Sequence, residues 1–251
     1  MVRAAFAIAA ALLLSACEER AEDTETGGDP AITLVVVGDV GLNVSRAPVH
    51  ADGFHAPDSD RVYSWQELTA GIAPLINGDF NFLNLETVVT DSNELPAARK
   101  GFNFRSHPDG VRHFVDIGFN LMSLANNHSF DYRIAGIRDT LRHVESYRSS
   151  GLLGYAGLGM NANEAAKPAV VKKRGESIAL AAVGIGWKKY RAGKNKPGQL
   201  NPWVEADIAR VTQKLRDTGA SFRVLSIHGG AERYVHPDEG LREGWRSAGE
   251  P

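Results

Sequence analysis

The stretch that decides the fold is Ile32-Thr33-Leu34-Val35-Val36-Val37-Gly38-Asp39. Its β-branched and apolar side chains predict a β-strand buried on both faces, as in a parallel sheet that is covered by helices. Asp39 then places a carboxylate directly after the apolar run. The same pattern, an apolar run followed directly by polar residues, occurs three more times. Glu86 follows residues 80–85, Asn126-Asn127-His128 follows residues 119–125, and His228 follows residues 222–227.

Helical patterns separate these strands. Ser64 and Glu67 have the spacing of a capping box and predict a helix over residues 64–77, with a kink or an early end at Pro74 as the alternative. Further helices are predicted over 108–118 and 134–147, and Asn201 with Pro202 reads as an N-cap and a first helical residue. In that last helix the predicted buried stripe is Trp203, Ile208, Val211 and Leu215. The alternation, with a further strand over 177–185, predicts an α/β sheet built by crossover connections.

The polar residues at the strand ends predict a shared site. In α/β sheets the carboxyl ends of the strands border one crevice, where ligands bind. Two carboxylates, an amide oxygen and two imidazoles favour Zn, Mn, Fe or Mg over a soft metal. Each residue alone has a structural alternative, because Asp39 can cap a turn, Asn126-Asn127 can form one, and His128 and His228 can be ordinary loop histidines.

The N-terminus has the pattern of an export signal over residues 1–16, with Arg3 before a short apolar run. That run is too short to span a bilayer, which needs roughly 20 apolar residues. It ends in Leu14-Ser15-Ala16-Cys17, which resembles the lipobox of bacterial lipoproteins, and Cys17 is the only cysteine. We therefore expect acylation of Cys17 and anchoring in membrane lipid, at the outer membrane or an extracytoplasmic face. An ordinary secretory signal is the alternative.

Residues 17–30 are acidic and polar and predict a flexible tether, since they cannot bury a core. Residues 31–251 are long enough for one α/β domain. The formal net charge of −2 argues against nucleic acid as a partner, because no basic stripe is left to meet phosphates. A basic cluster favours a solvated loop, with an anion site as the alternative; its members are Lys188, Lys189, Arg191, Lys194 and Lys196.

Four segments together resemble the CapA-type capsule-synthesis family, which is linked to poly-γ-glutamate. These segments are Gly38-Asp39-Val40, Asn84-Leu85-Glu86-Thr87, Ser123 to His128 with Asp131-Tyr132, and His228 to Glu232. The family is similar to a distant branch of the calcineurin-like metallophosphoesterases. The resemblance implies a metallophosphatase-like layered sandwich of the α-β-β-α type.

The resemblance also implies roles. Asp39 corresponds to a ligand of a first metal and Glu86 to the carboxylate that bridges two metals. Asn127 and His228 correspond to ligands of the second metal, and His128 to the residue that protonates the leaving group. The divalent ions expected are Mn, Fe, Zn or Mg. The chain departs from the broader superfamily at Gly41, where a histidine is usual.

The family continues past the His228 region, so we expect this domain to be truncated at its C-terminus. Three functions follow as hypotheses. The first is a metal-dependent hydrolase that acts on a phosphoester or an anionic polymer at the cell surface. The second is a non-catalytic protein that binds or tethers the polymer during export. The third is an inactive fragment.

Overall fold

The computed structural model describes residues 31–57 and 59–230. The strands are β1 (Leu34–Val40), β2 (Val44–Ser45), β3 (Phe54–His55), β4 (Val62–Tyr63), β5 (Phe80–Leu85), β6 (Val88–Val89), β7 (Phe104–Ser106), β8 (Leu121–Ser123), β9 (Gly154–Ala156), β10 (Leu158–Gly159), β11 (Ala169–Lys173), β12 (Glu176–Gly184), β13 (Gly198–Gln199) and β14 (Phe222–His228). The helices are α1 (Trp65–Thr69), α2 (Pro108–Asp116), α3 (Arg133–Ser146), α4 (Ala162–Ala165) and α5 (Glu205–Arg216).

Two sheets form the centre of the fold. The first has the order β1-β5-β8-β9 and is parallel throughout. The second has the order β11-β12-β14, with β12 and β14 parallel and β11 antiparallel to β12. The parallel pairs confirm the crossover connections that the alternation of strands and helices predicted.

The alternation of side chains along the central strands shows how the layers stack. On β5, Leu83 and Leu85 pack with residues of α2 and α3, whereas Phe80 and Phe82 pack with Leu180 of the second sheet. On β12 the odd-numbered residues turn the other way, against α5; these are Ala179, Ala181 and Val183. Each sheet therefore buries both faces, one against its partner sheet and one against helices. This arrangement confirms the metallophosphatase-like α-β-β-α fold.

Small residues let the two sheets approach where the site lies. A Cβ on Gly184, at the end of β12, would come 2.7 Å from the backbone carbon of Ala125 and 2.8 Å from the nitrogen of Asn126. Only glycine allows this distance, because real Cβ atoms are never found so close to backbone. The second sheet therefore presses directly on the loop that carries Asn126-Asn127-His128.

The prediction that residues 32–37 are buried on both faces is wrong. Within the described residues β1 has a neighbour on one side only, and none of its seven residues is fully buried. Val36 is 63% exposed. The apolar composition correctly predicted a β-strand, but it did not predict burial, because an edge strand packs against fewer neighbours than a central strand.

Two helix predictions also need correction. The capping box at Ser64 is confirmed, but α1 ends at Thr69, and a 3-10 turn over Ala73–Leu75 replaces the predicted continuation. Pro74 cannot donate its backbone nitrogen, which explains why the α-helix does not extend through it. The last helix begins at Glu205 after Val204, so Asn201 is not its N-cap.

The Asn201 side chain instead accepts a hydrogen bond from the Trp203 nitrogen (2.8 Å) and caps the turn that precedes α5. Trp203 is therefore outside the helix and exposed, contrary to its predicted place in the buried stripe. Val211 and Leu215 are buried as predicted.

No helix within residues 31–57 and 59–230 combines the length and the apolar character that crossing a bilayer requires. The predictions for residues 1–16, for Cys17 and for the tether over 17–30 lie outside the described residues. The same holds for the C-terminal segment from residue 231 onward.

Candidate functional site

The structure brings all five sequence-predicted residues into one crevice. Asp39 lies near the end of β1, Glu86 follows β5, Asn127 and His128 lie in the loop after β8, and His228 ends β14. His228 is the central residue: its Nδ1 lies 3.2 Å from Asp39 Oδ1, and its Nε2 lies 2.8 Å from Asn127 Oδ1 and 3.7 Å from Glu86 Oε1. The crevice joins the two sheets, because His228 belongs to one sheet and Asp39 to the other.

Asn84, on β5, contacts both Asp39 and His228 and holds them in this arrangement. Its Nδ2 donates to Asp39 Oδ1 (2.6 Å) and lies 3.1 Å from His228 Nδ1. Its own carbonyl oxygen Oδ1 is buried and has no hydrogen-bond partner among the described residues. This unpaired acceptor belongs to the same amide that binds Asp39, and a desolvated oxygen lone pair is costly unless a donor or a cation meets it.

His228 has a polar neighbour at each ring nitrogen. Its Nε2 lies beside Asn127 Oδ1, and its Nδ1 lies beside Asn84 Nδ2 and Asp39 Oδ1. The carbonyl and carboxylate oxygens can only accept, so a proton on either nitrogen has an acceptor, and a metal ion would replace that proton. Nδ1 is the ring nitrogen on the side of the crevice that holds Asp39.

Glu86 carries the main electrostatic signal. Burial raises the pKa of its carboxyl above the ordinary value, and the negative charge of Asp39 raises it further. The positive charges of His228, His128 and Lys100 oppose this rise without cancelling it. The crevice therefore places a partly buried carboxylate beside a second carboxylate, an arrangement that favours a bound cation.

His128 is positioned for acid–base chemistry. Its Nδ1 lies 2.6 Å from Oδ2 of the fully buried Asp131, and its ring stacks on Phe104 with 3.9 Å between centroids. A carboxylate on Nδ1 makes that nitrogen the donor, which leaves Nε2 to exchange a proton. This Nε2 points into the crevice, 3.8 Å from Glu86 Oε1.

Lys100 also helps to position His128, and the sequence did not predict this role. Its Nζ lies 2.5 Å from Asp131 Oδ1, donates to the Asn127 backbone oxygen (3.0 Å) and lies 3.3 Å from His128 Nδ1. Lys100 comes from the loop before β7 and carries no local motif. Asp131, three residues after His128, had a signal in its spacing, since i and i+3 residues in a turn meet.

The two adjacent asparagines have different roles. Asn126 is buried and donates to the Leu85 backbone oxygen (2.8 Å), while its Oδ1 accepts from the His128 nitrogen (3.0 Å). It therefore fixes the loop to β5. Asn127 alone turns its side chain to His228.

The donor set fits a divalent cation. Asp39, Glu86 and His228 each offer one ligand atom, and these atoms lie within 4.8 Å of one another. Asn127 adds a carbonyl oxygen beside them. Two carboxylates, an amide and an imidazole suit Mn, Fe, Zn or Mg. A cation would also offset the burial and the negative charge of Asp39 that raise the pKa of Glu86.

The four layers and this crevice define a metallophosphatase-like α/β protein. Comparison with known protein families identifies the family within this class: residues 33–248 match the family described as Bacterial capsule synthesis protein PGA_cap. The chain belongs to this family, as the resemblance of its four strand-end segments predicted.

Curated relatives support this family assignment. The chain is similar to the PGA biosynthesis protein CapA of Bacillus subtilis (strain 168), with 28% identity over 87% of this chain and 54% of the relative. It is also similar to the capsule biosynthesis protein CapA of Bacillus anthracis, with 24% identity over 80% of this chain and 47% of the relative. A probable polyglutamine synthesis accessory protein of Mycobacterium tuberculosis (strain CDC 1551 / Oshkosh) is 30% identical over 61% of this chain and 42% of its own length. The chain thus spans about half the length of these relatives.

Proposed function

We propose that this protein acts in the synthesis or export of an anionic capsule polymer of the poly-γ-glutamate type, as a metal-dependent hydrolase. The observation that carries the proposal is the convergence of Asp39, Glu86 and His228 on one point, with His128 Nε2 directed toward the same point. Family membership and the relatives named for capsule and poly-γ-glutamate synthesis support the polymer as the substrate class.

In this proposal Asp39, Glu86, Asn127 and His228 hold divalent metal. When bound, the metal polarises the oxygen of a phosphoryl or acyl group and lowers the pKa of a coordinated water. Asn84 fixes the orientation of Asp39 and His228 through its Nδ2. Such supporting hydrogen bonds set metal affinity as well as geometry.

His128 supplies the proton in the proposed reaction. Asp131 holds its Nδ1–H, so the ring presents Nε2 to the leaving oxygen, and Phe104 keeps the ring plane fixed by stacking. Lys100 holds Asp131 in this position through its Nζ, which lies 2.5 Å from Asp131 Oδ1. General acids of this kind contribute about 10²- to 10⁴-fold to the rate.

The test measures metal content and turnover together. The purified chain is dialysed against Mn²⁺, analysed for bound metal, and assayed with a generic phosphodiester and with poly-γ-glutamate. We expect His128→Gln to keep its metal and lose turnover, and Asp39→Asn to lose both. His143→Gln is the matched control, because His143 lies in α3, pairs with Asp91 and is not one of the crevice residues. Equal turnover in all three variants would exclude the proposed site.

A second candidate function is non-catalytic binding of the polymer, and a specific surface favours it. Trp187 is 45% exposed, the Lys189 Nζ lies 3.8 Å from the centre of its ring, and Tyr190 stacks on Phe130 at 4.4 Å. Lys188 lies in the same 3-10 turn. Phe130 is two residues from His128, so this basic and aromatic surface adjoins the crevice.

The two functions respond differently to charge reversal on this surface. Replacing Lys188 and Lys189 by Glu should weaken poly-γ-glutamate binding and reduce its salt dependence, because fewer cations meet the polymer. Lys172→Glu, an exposed lysine on β11, is the control. Binding that persists in Asp39→Asn and His128→Gln but falls in the lysine variant would favour the binding function over hydrolysis.

Membrane anchoring through Cys17 is part of the proposed setting. Acylation would hold the crevice at the envelope, where a surface polymer or envelope ester is the accessible substrate. Cells that express the chain are labelled with radioactive palmitate, with Cys17→Ser as the matched variant. Label on the wild type alone is the expected result, and label on neither would leave the secretory alternative.

A further inference from the structure

A second group of metal-ligand side chains lies outside the crevice, in the segment between β2 and β4. His50, Asp52 and His55 each offer one ligand atom, and these atoms lie within 4.8 Å of one another. His55 Nε2 lies 2.9 Å from Asp52 Oδ1, and the rings of His50 and His55 stack with 3.8 Å between centroids. Within residues 31–57 and 59–230, the crevice residues form the one other group of this kind.

The backbone before His50 is fixed by the rest of the domain. Val49 is buried, its nitrogen donates to Asn93 Oδ1 (2.9 Å), and its oxygen accepts from Asn93 Nδ2 (3.2 Å). Two reciprocal hydrogen bonds from one amide side chain hold this peptide in one orientation. His50 therefore starts from a fixed point.

The backbone at His55 is fixed by a hairpin. β3 pairs with β4, with His55 opposite Val62. Gly53 has a φ of +150°, and a Cβ there would lie 2.5 Å from the Tyr63 backbone oxygen. Only glycine permits this close turn, which brings His55 back over His50. Both histidines are thus preorganised by contacts that do not involve each other.

The two imidazoles also border a partly enclosed niche. Its walls include Trp65, Phe54 and Leu42, and the side chain of His107. His107 accepts from the Asp109 nitrogen at the start of α2, so it has a capping role of its own. The apolar walls shield the imidazoles on one side, while Asp52 remains exposed to solvent and open to an arriving ion.

We propose that His50, Asp52 and His55 form a second metal site, which takes a divalent transition ion such as Zn²⁺, Cu²⁺ or Ni²⁺. Two imidazoles and one carboxylate favour these ions over Mg²⁺ and Ca²⁺, which prefer oxygen ligands alone. Ligands on one tetrahedral zinc ion lie about 3.3–3.5 Å apart, so side-chain rotations within the loop are enough to close the set.

Metal binding at this site would fix the conformation of the segment that follows β1. An ion bound to His50 and His55 joins the Asn93-anchored peptide to the β3–β4 hairpin. This site shares no residue with the crevice, so its existence does not depend on the proposed hydrolysis.

Zinc titration of the full chain by calorimetry tests the proposal. We expect His50→Asn/His55→Gln to bind one equivalent fewer than the wild type, and Asp39→Asn/His228→Gln to retain the equivalent that the first variant loses. His143→Ala removes a histidine that pairs with Asp91 and belongs to neither group of metal-ligand side chains, and it should titrate like the wild type. Equal stoichiometry and affinity in the wild type and the His50/His55 variant would overturn the site.

A second measurement uses Trp65, which lines the niche, as a reporter. Cu²⁺ should quench a component of the tryptophan emission that disappears in Trp65→Phe and is not quenched in the His50/His55 variant. Zn²⁺ should raise the Tm of the wild type and leave that of the variant unchanged, while Mg²⁺ changes neither. A matching shift with Mg²⁺ would contradict a transition-metal site. Circular dichroism of each variant verifies that it is folded.

Discussion

The central strands and the edge strands of this protein differ sharply in burial. All six residues of β5 are buried, and so are the last seven of β12. None of the residues of β1 or β14 is fully buried, and Val36 and Ile227 are more than half exposed. Yet the edge strands supply Asp39 and His228, which contact each other across the two sheets.

This difference separates two roles. The central strands hold the layers together through apolar packing on both faces, and that packing is the larger source of stability. The edge strands carry ligands at their ends, where a polar side chain leaves no cavity in the core. The crevice is held by polar contacts such as those of Asn84, so it can lose its geometry while the layers stay folded.

The largest expected effect comes from truncating a central side chain. Leu83→Ala on β5 should lower the free energy of unfolding by about 2–5 kcal/mol, because it leaves a cavity in a fully buried cluster. Val36→Ala on β1 is the matched edge variant and should cost less than about 0.5 kcal/mol. Urea unfolding followed by circular dichroism gives both values. Equal losses would remove the distinction between the strands.

The next effect concerns the buried support of His128. Asp131→Asn should lower the free energy of unfolding by about 3 kcal/mol, because Lys100 would lose its buried carboxylate partner. Arg148→Gln breaks an exposed pair with Glu145 and should cost less than about 1 kcal/mol. A loss for Asp131→Asn no larger than that of the control would show that the support is not structural.

A smaller stability change with a larger functional one is expected at Asn84. Asn84→Ala should cost about 1–2 kcal/mol of unfolding free energy through its lost hydrogen bonds. The affinity of the crevice for Mn²⁺ should fall by about 10- to 100-fold, because Asp39 and His228 lose their common donor. Calorimetric titration with Mn²⁺ measures this, and unchanged affinity would show that the edge strands hold the ligands unaided.

The smallest effect is a pH dependence in the layer that covers the first sheet. Burial lowers the pKa of His113 below its ordinary value of 6.5, and its Nε2 lies 2.8 Å from Thr69 Oγ1. Its contribution to stability is complete above the unfolded value and is lost as the pH falls below 6.5 toward the folded pKa. His113→Gln should therefore flatten the loss of stability between pH 7 and pH 5. An unchanged slope in urea unfolding would assign that loss to other groups.

Local chemistry explains the predictions that the structure confirmed. The capping box at Ser64, the strand over 80–85 and the helix near 134–147 depend on neighbouring residues alone. The convergence of Asp39, Glu86, Asn127 and His128 followed from one rule, that the parallel strands of a sheet end at a common edge. His228 joins them from the second sheet, which that rule does not cover. That rule needs the order of elements and no knowledge of the packing.

The failures share one physical cause, which is that burial and capping depend on distant chain. The apolar run before Asp39 cannot reveal that its strand lies at an edge. Asn201 satisfies a turn rather than α5, because the backbone that follows it is not yet helical. Lys100 reaches Asp131 from 31 positions away along the sequence, with no motif to announce it.

The sequence by itself determined the class of fold, the family and the candidate metal-ligand residues. It could do so because hydrophobic periodicity, turn and capping residues, and short motifs are local properties of the chain. Only the tertiary structure decided which sheet edge stays exposed, which asparagine faces the crevice, and which groups orient His128 and His228. It also brought His50 and His55 together, through a glycine turn and an amide clamp from Asn93. These outcomes depend on contacts between segments far apart in the chain, which no local pattern encodes.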